Sequence, residues 1–355
     1  MLYIVFTTGQ CNLACKYCGG SFREDRVPWR VSYDPLKLKR LVEKDPHAVV
    51  AFYGGEPLLN PDFIRWVMDN VEAEHFVIQT NGTLYRSLEP RYWLRFSTVL
   101  LSVDGREELT DKYRGRGVYR RVMEAARYLR ELGFRGDLVA RMTVTEDTDI
   151  YLDVMHLLSS GVFTNVHWQL DVIWSDRWRS FPEWRDRSYI PGLRRLAELW
   201  LESAEEGAVL GIAPFKAILS QYFWGVYSSP PCGAGVDSFS ILTNGEVVLC
   251  PIAVYESWSR VGRIDELPAL TPRHLIGEPC TSCSYYHLCG GRCLYAYMER
   301  LWGEEGFREV CLATKGLIEI VLEIAPRVRE LLEKGVISKE KLYYPPFNNT
   351  VEVIP

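Results

Sequence analysis

No apolar run in this chain approaches the roughly 18 residues that a membrane span needs. Positive charge is not in surplus either: 41 Lys and Arg stand against 46 Asp and Glu, a net charge of −5. That balance gives no reason to expect nucleic acid or an anionic membrane as a partner. The N-terminus lacks a basic region followed by a long apolar core, so no secretory signal is expected. The basic, glycine-rich stretch Asp111-Lys112-Tyr113-Arg114-Gly115-Arg116-Gly117 lacks the Gly-Lys-Ser/Thr of a phosphate loop and is expected to be structural. What remains, with 47% hydrophobic and 25% charged residues, is an ordinary globular composition. Its 355 residues suit one large domain or two smaller ones. The sequon Asn348-Asn349-Thr350 is a frequent chance match.

Cysteine is not lacking. Ten cysteines fall in tight clusters, in a chain too large for a disulfide scaffold, and this favours metal over disulfides. The first cluster is Cys11-Asn12-Leu13-Ala14-Cys15-Lys16-Tyr17-Cys18. It follows a strand-like run, Leu2–Phe6, and a loop, Thr7-Thr8-Gly9-Gln10. A claw of thiolates on such a loop can wrap a compact object, and thiolates are the usual ligands of iron–sulfur clusters. Three of them leave one iron of a four-iron cluster open to a small molecule. A CxxC pair alone also suits a zinc knuckle or a redox pair. A structural zinc site wants four ligands, and the next histidine is only at His47.

The first 205 residues alternate strand and helix patterns. Leu2–Thr8, Ala48–Tyr53, Glu74–Thr80, Thr98–Val103, Leu138–Val144 and Asn165–Val172 are short and rich in Val, Ile, Leu and Phe, as doubly buried strands are. Helices are expected over Pro35–Glu43, Asp62–Val71, Pro90–Arg95, Arg120–Leu132, Ile150–Ser159 and Pro191–Glu206. Six βα units predict an α/β fold with a parallel sheet, two short of a closed barrel. Chemistry then belongs at the carboxyl ends of the strands.

Four motifs sit there. Tyr53-Gly54-Gly55-Glu56-Pro57 puts two glycines and a carboxylate at the rim, or is merely a strand-to-helix turn. Gln79-Thr80-Asn81-Gly82 carries a turn signal. In Ser102-Val103-Asp104-Gly105, Ser102 and Asp104 share one strand face. Arg141, among apolar strand residues, is costly to bury without an anion, which is either an acid across the sheet or a ligand. Trp174, Trp178, Phe181 and Trp184 follow strand six and either clamp a substrate or pack on a second domain.

Pro230-Pro231 marks a boundary, and seven cysteines follow: Cys232, Cys250, Cys280, Cys283, Cys289, Cys293 and Cys311. Ile241–Leu249 reads as a β-hairpin with an Asn-Gly turn. A pair of zinc sites is the plain alternative for these cysteines.

The claw, with its aromatic residue before the third cysteine, resembles the signature of radical S-adenosylmethionine (SAM) enzymes. The seven-cysteine run resembles the SPASM domain at every spacing. Together the resemblances cover about residues 1–315. They imply a partial (β/α)6 radical SAM barrel followed by a small cysteine-rich SPASM domain with a β-hairpin and helices. The expected limits are 1–205 for the barrel, 206–228 for a bridge, 229–315 for SPASM and 316–355 for a helix, Leu317–Lys334, and tail. They also imply that Cys11, Cys15 and Cys18 bind a [4Fe-4S] cluster whose open iron chelates SAM. The reduced cluster cleaves SAM to methionine and a 5′-deoxyadenosyl radical, which takes a substrate hydrogen.

By the same resemblance Tyr17, Gly54, Gly55, Glu56, Pro57, Ser102, Asp104 and Arg141 bind the cofactor, and Gln79 meets substrate. Cys280, Cys283, Cys289 and Cys311 would hold one auxiliary [4Fe-4S] cluster. Cys232, Cys250 and Cys293 would hold another, with an open iron or a ligand such as Asp237. The expected substrate is a peptide or protein, with ferredoxin or flavodoxin as electron donor, in the cytoplasm, without nucleic acid or membrane. A small-molecule substrate and a non-catalytic electron carrier are the alternatives, and a carrier needs no SAM pocket. Two features depart from the pattern. Where sulfatase-maturing members place an Asp after the second SPASM cysteine, this chain has Pro251, which argues against that reaction. The chain also begins at the first barrel strand, so leader recognition, if the reaction uses any, is expected from elsewhere, such as a separate peptide-recognition protein.

Overall fold

The computed structural model describes residues 1–266, 270–348 and 354–355. It begins with β1 (Leu2–Thr8), α1 (Pro35–Val42), β2 (Val49–Gly54), α2 (Pro61–Asn70), β3 (His75–Thr80) and α3 (Pro90–Trp93). There follow β4 (Thr98–Ser102), α4 (Glu107–Arg114), α5 (Val118–Glu131), β5 (Asp137–Val144), α6 (Ile150–Ser159) and β6 (Asn165–Leu170). Successive strands pair in parallel from β1 to β6. Every residue of β1 and β4 is buried, which explains their unbroken apolar runs. Local signals start the helices. Asp34, Asn60 and Asp149 each accept a backbone N–H of the first turn, and Pro35 and Pro61 open α1 and α2. The basic stretch from Asp111, expected as a loop, is helical as far as Arg114.

The sheet does not end at six strands. After α7 (Phe181–Trp184), α8 (Ile190–Glu205) and α9 (Ala213–Trp224) come β7 (Ser238–Ile241), β8 (Glu246–Val248) and β9 (Arg260–Arg263). β7 lies parallel to β1, with Leu2 opposite Ser238 and Val5 opposite Ile241. The hairpin strands β7 and β8 are antiparallel, and the whole sheet runs β6-β5-β4-β3-β2-β1-β7-β8-β9. Left alone, β1 would present a row of unpaired backbone groups, and β7 covers that edge. The bridging segment covers the other edge, where Val166 N donates to Gly211 O at 2.6 Å. The barrel and the cysteine-rich hairpin therefore share one sheet. Phe239, fully buried in β7, lies at their seam. Phe239→Ala should cost about 3–5 kcal/mol, and the whole chain should unfold in one urea transition at a lower midpoint. A loss below about 1 kcal/mol would mean that the seam contributes little.

The C-terminal part holds α10 (Tyr286–Cys289), α11 (Leu294–Glu299) and α12 (Gly303–Glu333). α12 starts at Gly303 rather than at the expected Leu317. Gly303, Gly306, Gly316 and Pro326 obscure it, because local propensity disfavours each of them in a helix. At Gly316 the reason is packing: a Cβ there would stand 2.4 Å from Ile190 Cδ1 of α8. The chain then returns beneath the sheet. Phe347 stacks on His75 at 4.1 Å, and Asn348 accepts from Thr98 Oγ1 and donates to Asp137. The expected tail thus seals the amino ends of β3, β4 and β5. Residues 349–353 lie outside the described residues. Among the described residues no helix is long and apolar enough to cross a membrane.

Candidate active site

Cys11, Cys15 and Cys18 all border one cavity of about 370 Å³ at the carboxyl ends of the strands. No disulfide joins any of the ten cysteines. Among the described residues no three His, Cys, Asp or Glu side chains close on one point as ligands of a single metal ion would. The claw's backbone is held locally: Gly19 N donates to Cys15 O at 2.8 Å, and Cys11 N donates to Ser21 Oγ at 2.9 Å. Burial raises the Cys11 thiol to about 11. The hydrogen bond between Cys15 and Cys18 pushes the first up and the second down. A donor set of three cavity-facing thiols, one of them already inclined to ionise, fits a cluster bound through thiolates.

Gly54 and Gly55 have a role that their sequence does not disclose. A Cβ on Gly54 would meet Thr8 O at 2.2 Å, and one on Gly55 would meet Gln10 O at 2.2 Å. Gly55 N donates to Thr8 O at 3.0 Å and Glu56 N to Gln10 O at 2.8 Å. The glycines let the end of β2 close on the base of the claw loop, and they line the cavity as well. Glu56 is 1% exposed and accepts from Leu58 N (3.0 Å), Thr80 Oγ1 (2.6 Å) and Asn81 N (2.7 Å). Burial outweighs these donors and raises its carboxyl to about 7. Asn81 donates to Asn12 Oδ1 at 2.8 Å, so the Asn-Gly turn after β3 braces the claw, a function that the turn signal alone does not reveal.

Two expected cofactor contacts stand behind the cavity wall. Pro57 is buried at the start of a short 3-10 turn, where its carbonyl accepts from Thr7 Oγ1. Asp104, 1% exposed, accepts from Arg114 through two bonds, from Tyr17 Oη at 3.0 Å and from Thr143 N at 2.9 Å. Those donors, from cavity-wall residues, saturate the carboxylate, and Asp104 stands behind them as their common anchor. Ser102, Arg141, Gln79 and Tyr17 do line the cavity. Arg141, 3% exposed, reaches His167 Nδ1 at 2.6 Å and Gln169 Oε1 on the neighbouring β6.

The aromatic stretch divides. Trp178 and Phe181 pack on Trp302 of the C-terminal part at 6.0 and 5.7 Å, and Trp184 packs on Trp178 at 4.8 Å. Trp174 remains 41% exposed at the cavity mouth, beside Phe22. Tyr255, Tyr295 and Ile252 of the cysteine-rich part continue this wall, with the Tyr255 ring 6.5 Å from that of Phe22. Asp171, just past β6, is also in the wall, and burial raises its carboxyl to about 6. Sequence reasoning missed Phe22, Asp171, Ile252, Tyr255 and Tyr295, because no motif marks them.

Among the later cysteines, burial raises the Cys280, Cys289 and Cys311 thiols, Cys289 to about 12. Cys311 and Cys283 add to the rise at Cys280, Cys311 and Cys280 at Cys289, and Cys283 at Cys311. These four therefore lie within electrostatic reach of one another, with the 7%-exposed Arg292 acting on three of them. Cys250 acts on the cavity tyrosines Tyr53 and Tyr295 in the same way. Cys293 is the residue before α11, and Cys232 is partly buried.

Residues 5–158 match the family profile described as the Radical SAM superfamily. The chain is 24% identical over 326 residues to a cysteine-type anaerobic sulfatase-maturating enzyme of Clostridium perfringens (strain 13 / Type A), covering 80% of this chain and 85% of that one. It is 26% identical over 311 residues to mycofactocin maturase MftC of Mycobacterium tuberculosis (strain CDC 1551 / Oshkosh), covering 81% and 77%. Among solved structures, native anSMEcpe with bound AdoMet superposes with a TM-score of 0.73 at 20% identity, covering 94% of this chain and all of that one. Streptococcus suis SuiB bound to precursor peptide SuiA gives a TM-score of 0.56 at 16% identity, covering 84% and 72%. At these identities the structural likenesses bear on the fold.

Proposed function

Since this chain carries a radical SAM domain over residues 5–158, an enzyme domain that uses a [4Fe-4S] cluster and SAM, we propose that it modifies a peptide or protein substrate. One observation carries the reading. The three claw thiols and the Gly54–Glu56 rim open into the same cavity that Ile252, Tyr255 and Tyr295 of the cysteine-rich part close. An electron carrier needs no such shared chamber. The cluster, when bound and reduced, supplies the electron that cleaves SAM and so the radical that removes a substrate hydrogen.

Around it we assign Cys11, Cys15 and Cys18 to the cluster and Glu56, with the rim backbone at Gly54 and Gly55, to the SAM ammonium. Arg141 and Ser102 suit the SAM carboxylate, since a guanidinium matches a carboxylate in two bonds. Gln79 is the proposed substrate contact. Asp104 and Pro57 support the wall from behind. The wall of Phe22, Trp174, Tyr255 and Tyr295 suits side chains of a peptide. The relatives support this class, since two are named maturating enzyme or maturase and one neighbour was solved with a precursor peptide. With Pro251 after Cys250, a reaction other than sulfatase maturation is proposed. The proposed electron donor is a ferredoxin or flavodoxin in the cytoplasm. The test is mass spectrometry of peptides encoded beside this gene, incubated with reconstituted enzyme, SAM and dithionite. A changed peptide mass that requires SAM supports the proposal. Turnover of a small molecule with no peptide modified would overturn the substrate class.

Glu56 sets a pH dependence. Its carboxyl, raised to about 7 from 4.5, makes the unliganded fold favour the protonated form. That contribution to stability is complete below about pH 4.5 and is lost as pH rises through about 7. The SAM ammonium requires the ionised form, so SAM affinity should rise about fivefold between about pH 6 and 7, while the α-amino group stays protonated. Equilibrium dialysis across that range measures it. Glu56→Gln should bind more weakly and show a flat profile. An equally steep profile in the variant would remove Glu56 from the SAM site.

A further inference from the structure

In the wall of the cavity that the claw borders, the buried cation of Arg114 is clamped in place. The side chains of Arg114 and Asp104 are 7% and 1% exposed. Arg114 Nε donates to Asp104 Oδ2 at 2.8 Å and Nη2 to Oδ1 at 2.7 Å, a two-pronged pair. The guanidinium lies 5.3 Å from the centre of the Tyr17 ring, and Tyr17 Oη donates to the same carboxylate. The end of α4 adds a second grip. Lys16 N donates to Tyr113 O at 2.9 Å, and the Tyr113 ring stacks on Tyr17 at 6.1 Å. Lys16 and Tyr17 are the two residues between Cys15 and Cys18, so α4 holds the segment that spaces those thiols. Arg114 lines the same cavity as Cys15 and Cys18, which places its guanidinium in the wall that carries their thiols.

Stability alone does not account for this pair. Each buried ion costs several kcal/mol in lost hydration, and apolar residues of similar size often hold a fold as well or better. A buried charge in the wall of the cavity that three thiols border points to a task that only charge performs.

We propose that Arg114, fixed by Asp104, is the positioning residue of the claw: it sets the spacing of Cys15 and Cys18 through Lys16–Tyr17 and places a positive charge in the wall they share that eases reduction of the cluster they bind. The proposal rests on the claw holding a cluster, as proposed above. Reduction brings in one electron from an external donor, dithionite in the assay, with no bond made or broken in the protein. Without the guanidinium the added negative charge is offset less, so the cluster becomes harder to reduce.

The test compares Asp104→Asn/Arg114→Met, which removes both charges together, with Arg114→Lys, which keeps the charge and loses the two-pronged bond. The readouts on reconstituted protein are thermal melting, iron content, the midpoint potential of the EPR signal that SAM perturbs, and 5′-deoxyadenosine formation without substrate. The double variant should melt near the wild type and keep its iron. Its potential should fall, because the guanidinium is on the cavity wall with the thiols and the carboxylate is not, and cleavage should slow about tenfold or more. Arg114→Lys should keep a potential near that of the wild type while cleavage slows. A purely structural role would not separate potential from rate in this way. Unchanged potentials in both variants overturn the proposal. If the double variant does not fold, Arg114→Gln replaces it. A lower potential in the glutamine variant than in the lysine variant supports the proposal, and equal potentials overturn it. Wild-type protein with no reducible, SAM-sensitive signal would overturn the earlier reading of the claw. A normal wild-type signal with equal potentials in the variants overturns only this one.

Discussion

Replacing Cys11, Cys15 and Cys18 together by alanine should reduce 5′-deoxyadenosine formation from SAM and dithionite to the protein-free level. The reason is local to the cavity. These three thiols border the space shared with Glu56, Ser102 and Arg141, and no other cysteine lies on its wall as described. The substitutions also remove little that folds the chain. Cys18 is exposed and Cys11 is half-buried, while the claw backbone is held by Ser21, Asn81 and α4 rather than by sulfur. The variant should therefore fold and melt close to the wild type. Chromatography of the deoxyadenosine product measures the effect without any peptide, since uncoupled cleavage requires only the first cluster and SAM. Continued production at the wild-type rate would sink the assignment of the claw.

The same variant should still hold about eight irons per chain, from two four-iron clusters in the cysteine-rich part. Two such clusters bound by cysteine alone take four thiolates each, and this part of the chain supplies seven. Cys280, Cys283, Cys289 and Cys311, which act on one another electrostatically, make one complete set. Cys232, Cys250 and Cys293 are left with a fourth position that no cysteine fills. Asp237, exposed and four residues past the Gly233 turn, is a candidate ligand, as are water and a substrate group. Because Cys250 lies within electrostatic reach of the cavity tyrosines, an open iron there would stand near the substrate side. Iron and sulfide analysis decides. About four irons would mean that only the fully ligated cluster forms, and the open position would then have no cluster to belong to.

Much of the site was legible because its chemistry is contiguous. Three thiols within eight residues constrain one another wherever the chain goes, and Gly54-Gly55-Glu56 follows directly on its strand. The strands were legible for a related reason. Burial on both faces forces short, unbroken apolar runs, and capping residues such as Asp34 and Asp149 mark the helices that separate them.

The tertiary structure decided what depends on partners far away in the chain. That Leu2 pairs with Ser238, making one sheet of barrel and hairpin, follows from the need to cover the edge of β1, and neither strand announces its partner. Phe347 and Asn348, in a tail with no periodic pattern, acquire meaning only against His75, Thr98 and Asp137. Gly316 misled the helix assignment because its use is to admit Ile190, a contact between helices. Asp104 shows the division in a single residue. Its position at the end of β4 was determined by sequence, since the strand period fixes it. Its direction was decided by Arg114, Tyr17 and Thr143, cavity-wall residues that together donate four hydrogen bonds to it. A buried carboxylate turns to its donors, and those donors come together only when the chain has folded.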